Sequence, residues 1–373
     1  MARPTIQPLT SVRFFAALYV VMYHTLTELV RGKDDPTAVN GDFLGLGYIS
    51  VSFFFVLSGF ILARVYLQKQ EGYSFRQFWG ARFARVYPLF FFTLLLDTPH
   101  WLFAGVRRIG IHAAMVSTLK VLAANLVLLQ AWFVSLRGID NPNWSLSVEA
   151  FFYILFPFIS IPLIRRRSTA LYWIIGICYV SGMLLVRYAS GLQVPVDSVK
   201  FSPILHLHEF IEGICAAMIT MRLNHHGKEV LRALSVYILG GSLLIFAAFI
   251  SFSPHLLKFH LFIHDGMLSP LFLAVIISLA YGSSWVHRLL SKGFILLLGE
   301  ASYGLYLIHI PLWHIAKNLP RGHSFITYPF YLASAVGLSV ASFLYLERPS
   351  RRFILTKLQT RPVETLVNSS AMQ

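Results

Sequence analysis

Residues 12–30, VRFFAALYVVMYHTLTELV, form an apolar stretch long enough to cross a bilayer, with Arg13 at its start and His24 eleven positions later. Eleven residues advance an α-helix by about 16 Å and turn it by about 1100°, some 20° past three full turns. Arg13 and His24 therefore share one helical face, which also carries Ala17, Val20 and Glu28. Ionisable groups at membrane depth are costly and normally face a bundle interior or a wet cavity, so both are candidates for function. On their own they are equally well explained as a membrane-edge anchor and a hydrogen-bonded interior histidine.

The rest of the chain fits such a helix. Its 373 residues are 56% hydrophobic and 13% charged, with a mean hydropathy of +0.65. Soluble domains are about 45–50% apolar. The expected fold class is therefore all-α, a polytopic integral membrane protein. The net charge of +15 does not point to nucleic acid, because the basic residues cluster at the ends of hydrophobic runs, where they orient membrane helices, and no nucleic-acid module is present. No small-residue cleavage site follows the first run, which is expected to be retained as a helix. Cys178 and Cys215 fall within apolar runs and form no metal motif.

Further hydrophobic runs cover residues 45–67, 86–104, 115–134, 145–164, 169–188, 203–221, 231–252, 266–282, 293–316 and 325–346. Basic clusters around Arg82, Arg165–Arg167, Arg222, Arg288 and Arg348 share one side only if residues 115–134 do not cross. That segment is expected to be re-entrant or interfacial, leaving about ten spans with both termini cytoplasmic. Residues 1–352 would form one membrane domain and 353–373 a short, loose polar tail. The acidic residues between 31 and 42 would lie outside.

Several further residues carry chemistry. Ser52, Val56, Gly59 and Ala63 lie along one face of the second span, which suits close helix packing or a ligand, and Ser58 neighbours them. Arg82 and Arg85, three apart among aromatics, suit either a headgroup anchor or a phosphate clamp. Asn141-Pro142-Asn143 is a turn signal, Ser145 an N-cap and Trp144 an interfacial aromatic. Glu149 either compensates a helix dipole or handles acceptor and protons at the outer mouth. In HLHEFIEG, His208 and Glu212 share a face; a metal would need a ligand from elsewhere, so polar lining or capping is preferred and no metal site is expected. Ser302, Tyr306 and His309 mark a cavity wall or satisfied interior residues. Walker, Gly-x-Gly-x-x-Gly and Gly-x-Ser-x-Gly motifs are absent.

Taken in order, Arg13-x10-His24, SFFFVLSGF, Arg82-x-x-Arg85, NWSLSVEAFFYILFP and YGLYLIHIP resemble the bacterial membrane O-acyltransferases of acyltransferase family 3, over residues 6–352. The resemblance implies a multi-pass protein of the cytoplasmic membrane, in contact with membrane lipids. It would move an acyl group, commonly acetyl, from cytoplasmic acyl-CoA to a hydroxyl of a glycan or glycolipid, in company with other glycan-assembly proteins. Acyl-CoA would be a co-substrate, with no tightly bound cofactor. Arg13 and His24 match the family's essential pair, Arg82 and Arg85 its cytoplasmic arginine motif, and Glu149 lies in the matching outer segment. Arg13, His24 and Glu149 would then act in catalysis, and Arg13, Arg82 and Arg85 in holding the donor. Glu28, Ser52, Ser58, Trp144, Ser302, Tyr306 and His309 would line the cavity or meet the acceptor, with Glu28 orienting the His24 ring. Some members add a hydrolase-like domain with a Gly-Asp-Ser motif. This sequence offers only Gly41-Asp42-Phe43, so the membrane domain is expected to finish the reaction or hand the acyl group to a separate protein. A transporter or flippase for a lipid-linked or anionic glycan is the alternative, although no inverted repeat is visible; a non-catalytic subunit would leave Arg13 and His24 without a purpose.

Overall fold

The computed structural model describes residues 7–31, 43–68, 74–252, 260–319 and 324–359, and no strand occurs among them. The helices are α1 (Gln7–Arg31), α2 (Ile49–Tyr66), α3 (Phe75–Ile109), α4 (Ile111–Leu126), α5 (Trp144–Ile164), α6 (Ser168–Gly191) and the short α7 (Val196–Lys200). They continue with α8 (Leu207–Met221), α9 (His225–Phe252), α10 (His260–His264), α11 (Ser269–Tyr281), α12 (Trp285–Leu290) and α13 (Gly293–Ala316). The chain closes with α14 (Tyr328–Ser342), a π-helical turn (Phe343–Glu347) and α15 (Arg348–Gln359). The acidic stretch after α1 and the Gly41-Asp42 pair lie outside the described residues.

Nine helical segments among the described residues are long and apolar enough to cross a membrane, which makes this a polytopic membrane protein. The tenth expected span is α8. It has 15 residues, because residues 201–206 are largely turns and the helix begins only at Leu207. The lipid-facing belt is explicit in α6 and α9, where Trp173, Tyr237 and Leu244 are each more than 70% exposed. The core is built instead on α2, buried around most of its circumference. Gly59 lets α8 approach: a Cβ there would stand 2.1 Å from the Phe210 carbonyl, and one on Gly213 would stand 2.1 Å from that of Val56. The small-residue face of α2 is thus a packing face, and Ser52 is buried in it, donating to the His264 carbonyl at 3.0 Å.

Two expectations change in detail and a third takes a definite path. The arginine segment and the third span are one helix, α3, about 52 Å long. Its amide ladder is interrupted by Pro88 and Pro99 without ending it. At Gly110 (φ 77°) the chain turns back, and α4 descends along α3 until the Tyr87 hydroxyl meets the Leu126 carbonyl at 3.0 Å. It then climbs again: Gly138 packs on Trp101 and the Asp140 amide donates to Asp97 at 2.8 Å. Residues 111–140 thus leave and rejoin the same part of α3, the path of a re-entrant hairpin. Lastly, the helix after the final span continues to Gln359, with Leu358 seated on Gly80 of α3. Residues 353–359 therefore belong to the bundle rather than to a loose tail; Leu355 and Leu358, three apart, give that turn an apolar face.

The ends of α5 and α8 meet where Arg222 donates to the carbonyls of Arg166 and Ile164 at 2.6 and 2.8 Å. Arg64 of α2 bonds the Tyr281 hydroxyl of α11 at the same end. With the arginines of α3 and α15, these residues make a basic end of the bundle; Trp144, His206 and His264 gather toward the other.

Candidate active site

Two connected cavities run inward from the basic end. A vestibule is walled by Arg13, Arg64, Arg82 and Arg85, by Arg348, Arg351 and Arg352 of α15, and by Glu300 and Glu347. It narrows at Arg13, Arg82, Arg85 and Tyr303, which also line a smaller inner cavity. The inner walls are apolar on α2, at Phe54, Phe55 and Leu62. Ser58 of α2 and, on other helices, Ser145, Glu149, Tyr153, Ser302 and Tyr306 add polar groups.

Arg82 does not lie out among headgroups. It is 7% exposed, its guanidinium rests over the Tyr66 and Tyr153 rings at 5.7 and 5.8 Å, and its buried Nε has no hydrogen-bond partner. Residue 85 follows one helical turn later, so both arginines reach the same neck. Glu149 faces inward, away from the outer mouth expected for it: Ser58 donates to its Oε1 at 3.2 Å, and Tyr153, one turn on, donates to the same oxygen. The residue sits with Arg13 in the inner cavity because the α5 face carrying positions 145, 149 and 153 points to the bundle axis.

The inner cavity ends at Tyr306. Its hydroxyl lies 2.7 Å from Ser145 Oγ and 2.9 Å from the Pro142 carbonyl, while its own carbonyl meets His309 Nδ1 at 2.5 Å. His309 Nε2 is 3.2 Å from His24 Nδ1, with the two rings stacked at 5.2 Å. A carbonyl only accepts, so His309 carries its proton on Nδ1 and offers a lone pair at Nε2. His24 must then donate from Nδ1, which leaves Nε2 as its basic nitrogen.

Nearly the whole chain, residues 9–344, matches a family model described as an acyltransferase domain. The chain belongs to acyltransferase family 3. Its relatives include the acyltransferase MdmB of Streptomyces mycarofaciens, 27% identical over 356 residues that cover 89% of this chain and 85% of that one. The peptidoglycan O-acetyltransferase OatA of Listeria monocytogenes is 22% identical over 382 residues, 94% of this chain but 56% of OatA. The chain thus spans little more than half the length of that relative. No solved structure is significantly similar. The protein is a multi-pass membrane acyltransferase.

Within this acyltransferase, one cavity system brings together Arg13, Ser58, Arg82, Arg85, Glu149, Ser302 and Tyr306. His24 and His309 line neither cavity: His309 meets the cavity wall through the Tyr306 carbonyl, so its expected place in the lining is not met. Other expectations fail. Glu28 does not orient His24, because its two oxygens accept from Trp313 Nε1 at 2.6 Å and Lys317 Nζ at 3.3 Å. Trp144 is neither interfacial nor cavity-lining; it is 6% exposed, packed against Phe201 at 4.7 Å and against His206 and His264. Ser52 is likewise spent on packing.

The His–carboxylate segment keeps the His208–Glu212 pair that its spacing announces and gains further partners. His208 binds Glu212 at 2.8 Å, while His206 lies 2.9 Å from Glu209 and 3.3 Å from Asp265 Oδ1, with His264 3.8 Å from the same oxygen. His206, His264 and Asp265 are the one group among the described residues spaced for a metal ion. Both His206 nitrogens already face acceptors, Glu209 and the Lys200 carbonyl at 3.0 Å, the arrangement of a doubly protonated ring in a buried ion-pair network.

Proposed function

We propose that this acyltransferase moves an acyl group, an acetyl group in the simplest case, from acyl-CoA to a hydroxyl of a glycan or glycolipid. The proposed setting is the cytoplasmic membrane, with the basic end cytoplasmic by its charge. The observation that carries the reading is the arginine-lined vestibule opening into a narrower cavity that ends at Tyr306, behind which His309 and His24 pair. Coenzyme A thioesters have that shape in charge: an anionic nucleotide, then a long neutral arm ending in the reactive carbonyl. Guanidiniums bind phosphate oxygens through paired hydrogen bonds, and Arg82 has buried donor capacity unused.

In this reading the diphosphate sits at Arg82 and Arg85, and the pantetheine arm passes Arg13 into the inner cavity. The acceptor comes from the opposite end, presented by other glycan-assembly proteins. His24 Nε2 takes the proton of the acceptor hydroxyl as its oxygen attacks the thioester carbonyl. Arg13 and Glu149 set the charge at the donor carbonyl, and collapse breaks the C–S bond. The proton returns from His24 to the departing sulfur, giving ester and free thiol. His309 shares the charge on His24 through the Nδ1–Nε2 contact. Of the relatives, OatA carries an O-acetyltransferase name, which supports the same acyl group and atom here. The test is incubation of the purified protein in nanodiscs with radiolabelled acetyl-CoA and hydroxyl acceptors. Label should appear in an alkali-labile ester; a protein that neither binds nor consumes acetyl-CoA would overturn the reading.

A further inference from the structure

The last helix carries basic residues that the diphosphate site does not use. Arg348, Arg351 and Arg352 of α15 occupy the i, i+3 and i+4 positions of one helix face, and all three line the vestibule. The helix is fixed there by Leu358 against Gly80 of α3, while the Arg348 guanidinium rests 4.4 Å over the Phe343 ring. The vestibule thus holds an excess of guanidinium charge over the carboxylates of Glu300 and Glu347, an arrangement suited to a ligand with several negative charges.

The charges are also ordered. Arg13, Arg82 and Arg85 line both the vestibule and the inner cavity and so mark the neck; Arg64 and the α15 arginines line the vestibule and not the inner cavity. Along an acyl-CoA molecule the neutral pantetheine arm comes first, the 5′-diphosphate next, and the ribose with its 3′-phosphate last. The two orders match when the acyl end points inward. We infer that the α15 arginines bind the ribose 3′-phosphate and so select coenzyme A thioesters over donors that lack that group. This inference rests on the acyl-CoA reading above and adds a second phosphate site to it.

The experiment displaces radiolabelled acetyl-CoA from the full-length protein in nanodiscs with coenzyme A and, separately, with 3′-dephospho-coenzyme A. The wild-type protein is expected to prefer coenzyme A by about 10- to 100-fold, the scale of one or two charge-assisted hydrogen bonds. Arg351→Gln with Arg352→Gln should remove that preference and leave affinity for the dephosphorylated ligand unchanged. Arg82→Ala with Arg85→Ala should weaken both ligands and keep the preference. A wild-type protein that does not discriminate, or an α15 variant that weakens both ligands equally, overturns the inference. Should the double glutamine variant aggregate, Arg348→Gln, at an exposed position, takes the same measurement. Absence of any acetyl-CoA binding would remove the donor reading itself; binding and turnover without discrimination would remove only the α15 site.

Discussion

At the neck of the vestibule, Arg82 keeps a buried Nε without a partner and lies against tyrosine rings. Behind Tyr306, around His309, both ring nitrogens are engaged, Tyr306 is tied to Ser145 and Pro142, and Glu28 is shared by Trp313 and Lys317. Unused donors beside open space suit a ligand that enters a preformed site. The bonds of His309, Tyr306 and Glu28 are closed among protein groups, while Asp140 and Asn143 beside Pro142 keep buried polar atoms without partners, so a second substrate must displace some of these bonds before it fits. On this comparison, with the proposed substrates, the donor is expected to bind first and the acceptor end to open later.

The largest effect expected from breaking the contrast is at His24. His24→Ala should lose about 10²–10⁴-fold in turnover, the usual contribution of a positioned general base, while keeping donor affinity. His309→Ala should cost less, about tenfold, because it removes the group that fixes the His24 proton on Nδ1 rather than the base itself. Acetyl transfer per folded molecule is the readout, with His24→Gln as the control that retains a hydrogen bond. Near-wild-type turnover in His24→Gln would reduce the histidine pair to a tie between α1 and α13.

The next effect belongs to the neck. Arg82→Ala with Arg85→Ala should weaken acetyl-CoA binding by about 2–4 kcal/mol, taking about 1.5–3 for each charge-assisted bond and discounting for solvent. Calorimetric titration of the inserted double variant would measure it. Unchanged affinity would make the two arginines structural and erase the difference between the two ends.

Which parts of this were legible in the sequence follows from how local each signal is. Arg13 and His24, or Arg82 and Arg85, sit on one helix, where the 3.6-residue period places them without knowledge of the fold. The His24–His309 contact joins residues 285 apart, and no periodicity within α1 or α13 announces it. The same distance hid the partners of Glu28: position 28 stands one turn beyond His24, which invited a local pairing, but Trp313 and Lys317 on α13 reach it first. Arg348, Arg351 and Arg352 were legible as charge but not as lining, because a basic cluster after a final span is fully explained by membrane orientation. Glu149 was read from its nearness to a helix start, whereas the face that it shares with Ser145 and Tyr153 decides where it points.

The smallest effect, and the sharpest test of closure, is Tyr306→Phe. The substitution keeps the ring, which is 8% exposed, and removes the hydroxyl that meets Ser145 and Pro142. Ser145 Oγ still donates to the Pro142 carbonyl at 3.1 Å, so no new buried orphan is created and stability should fall by only about 1 kcal/mol. If that hydroxyl holds shut the boundary between the inner cavity and the histidine pair, the variant should bind acetyl-CoA as the wild type does. It should also hydrolyse the thioester a few-fold faster without acceptor, because water then reaches the carbonyl. Release of free thiol from acetyl-CoA, followed with a thiol reagent, gives that rate directly. Hydrolysis and transfer both at wild-type rates would make Tyr306 a wall rather than a boundary that opens, and the outer site would then have to admit its acceptor by another route.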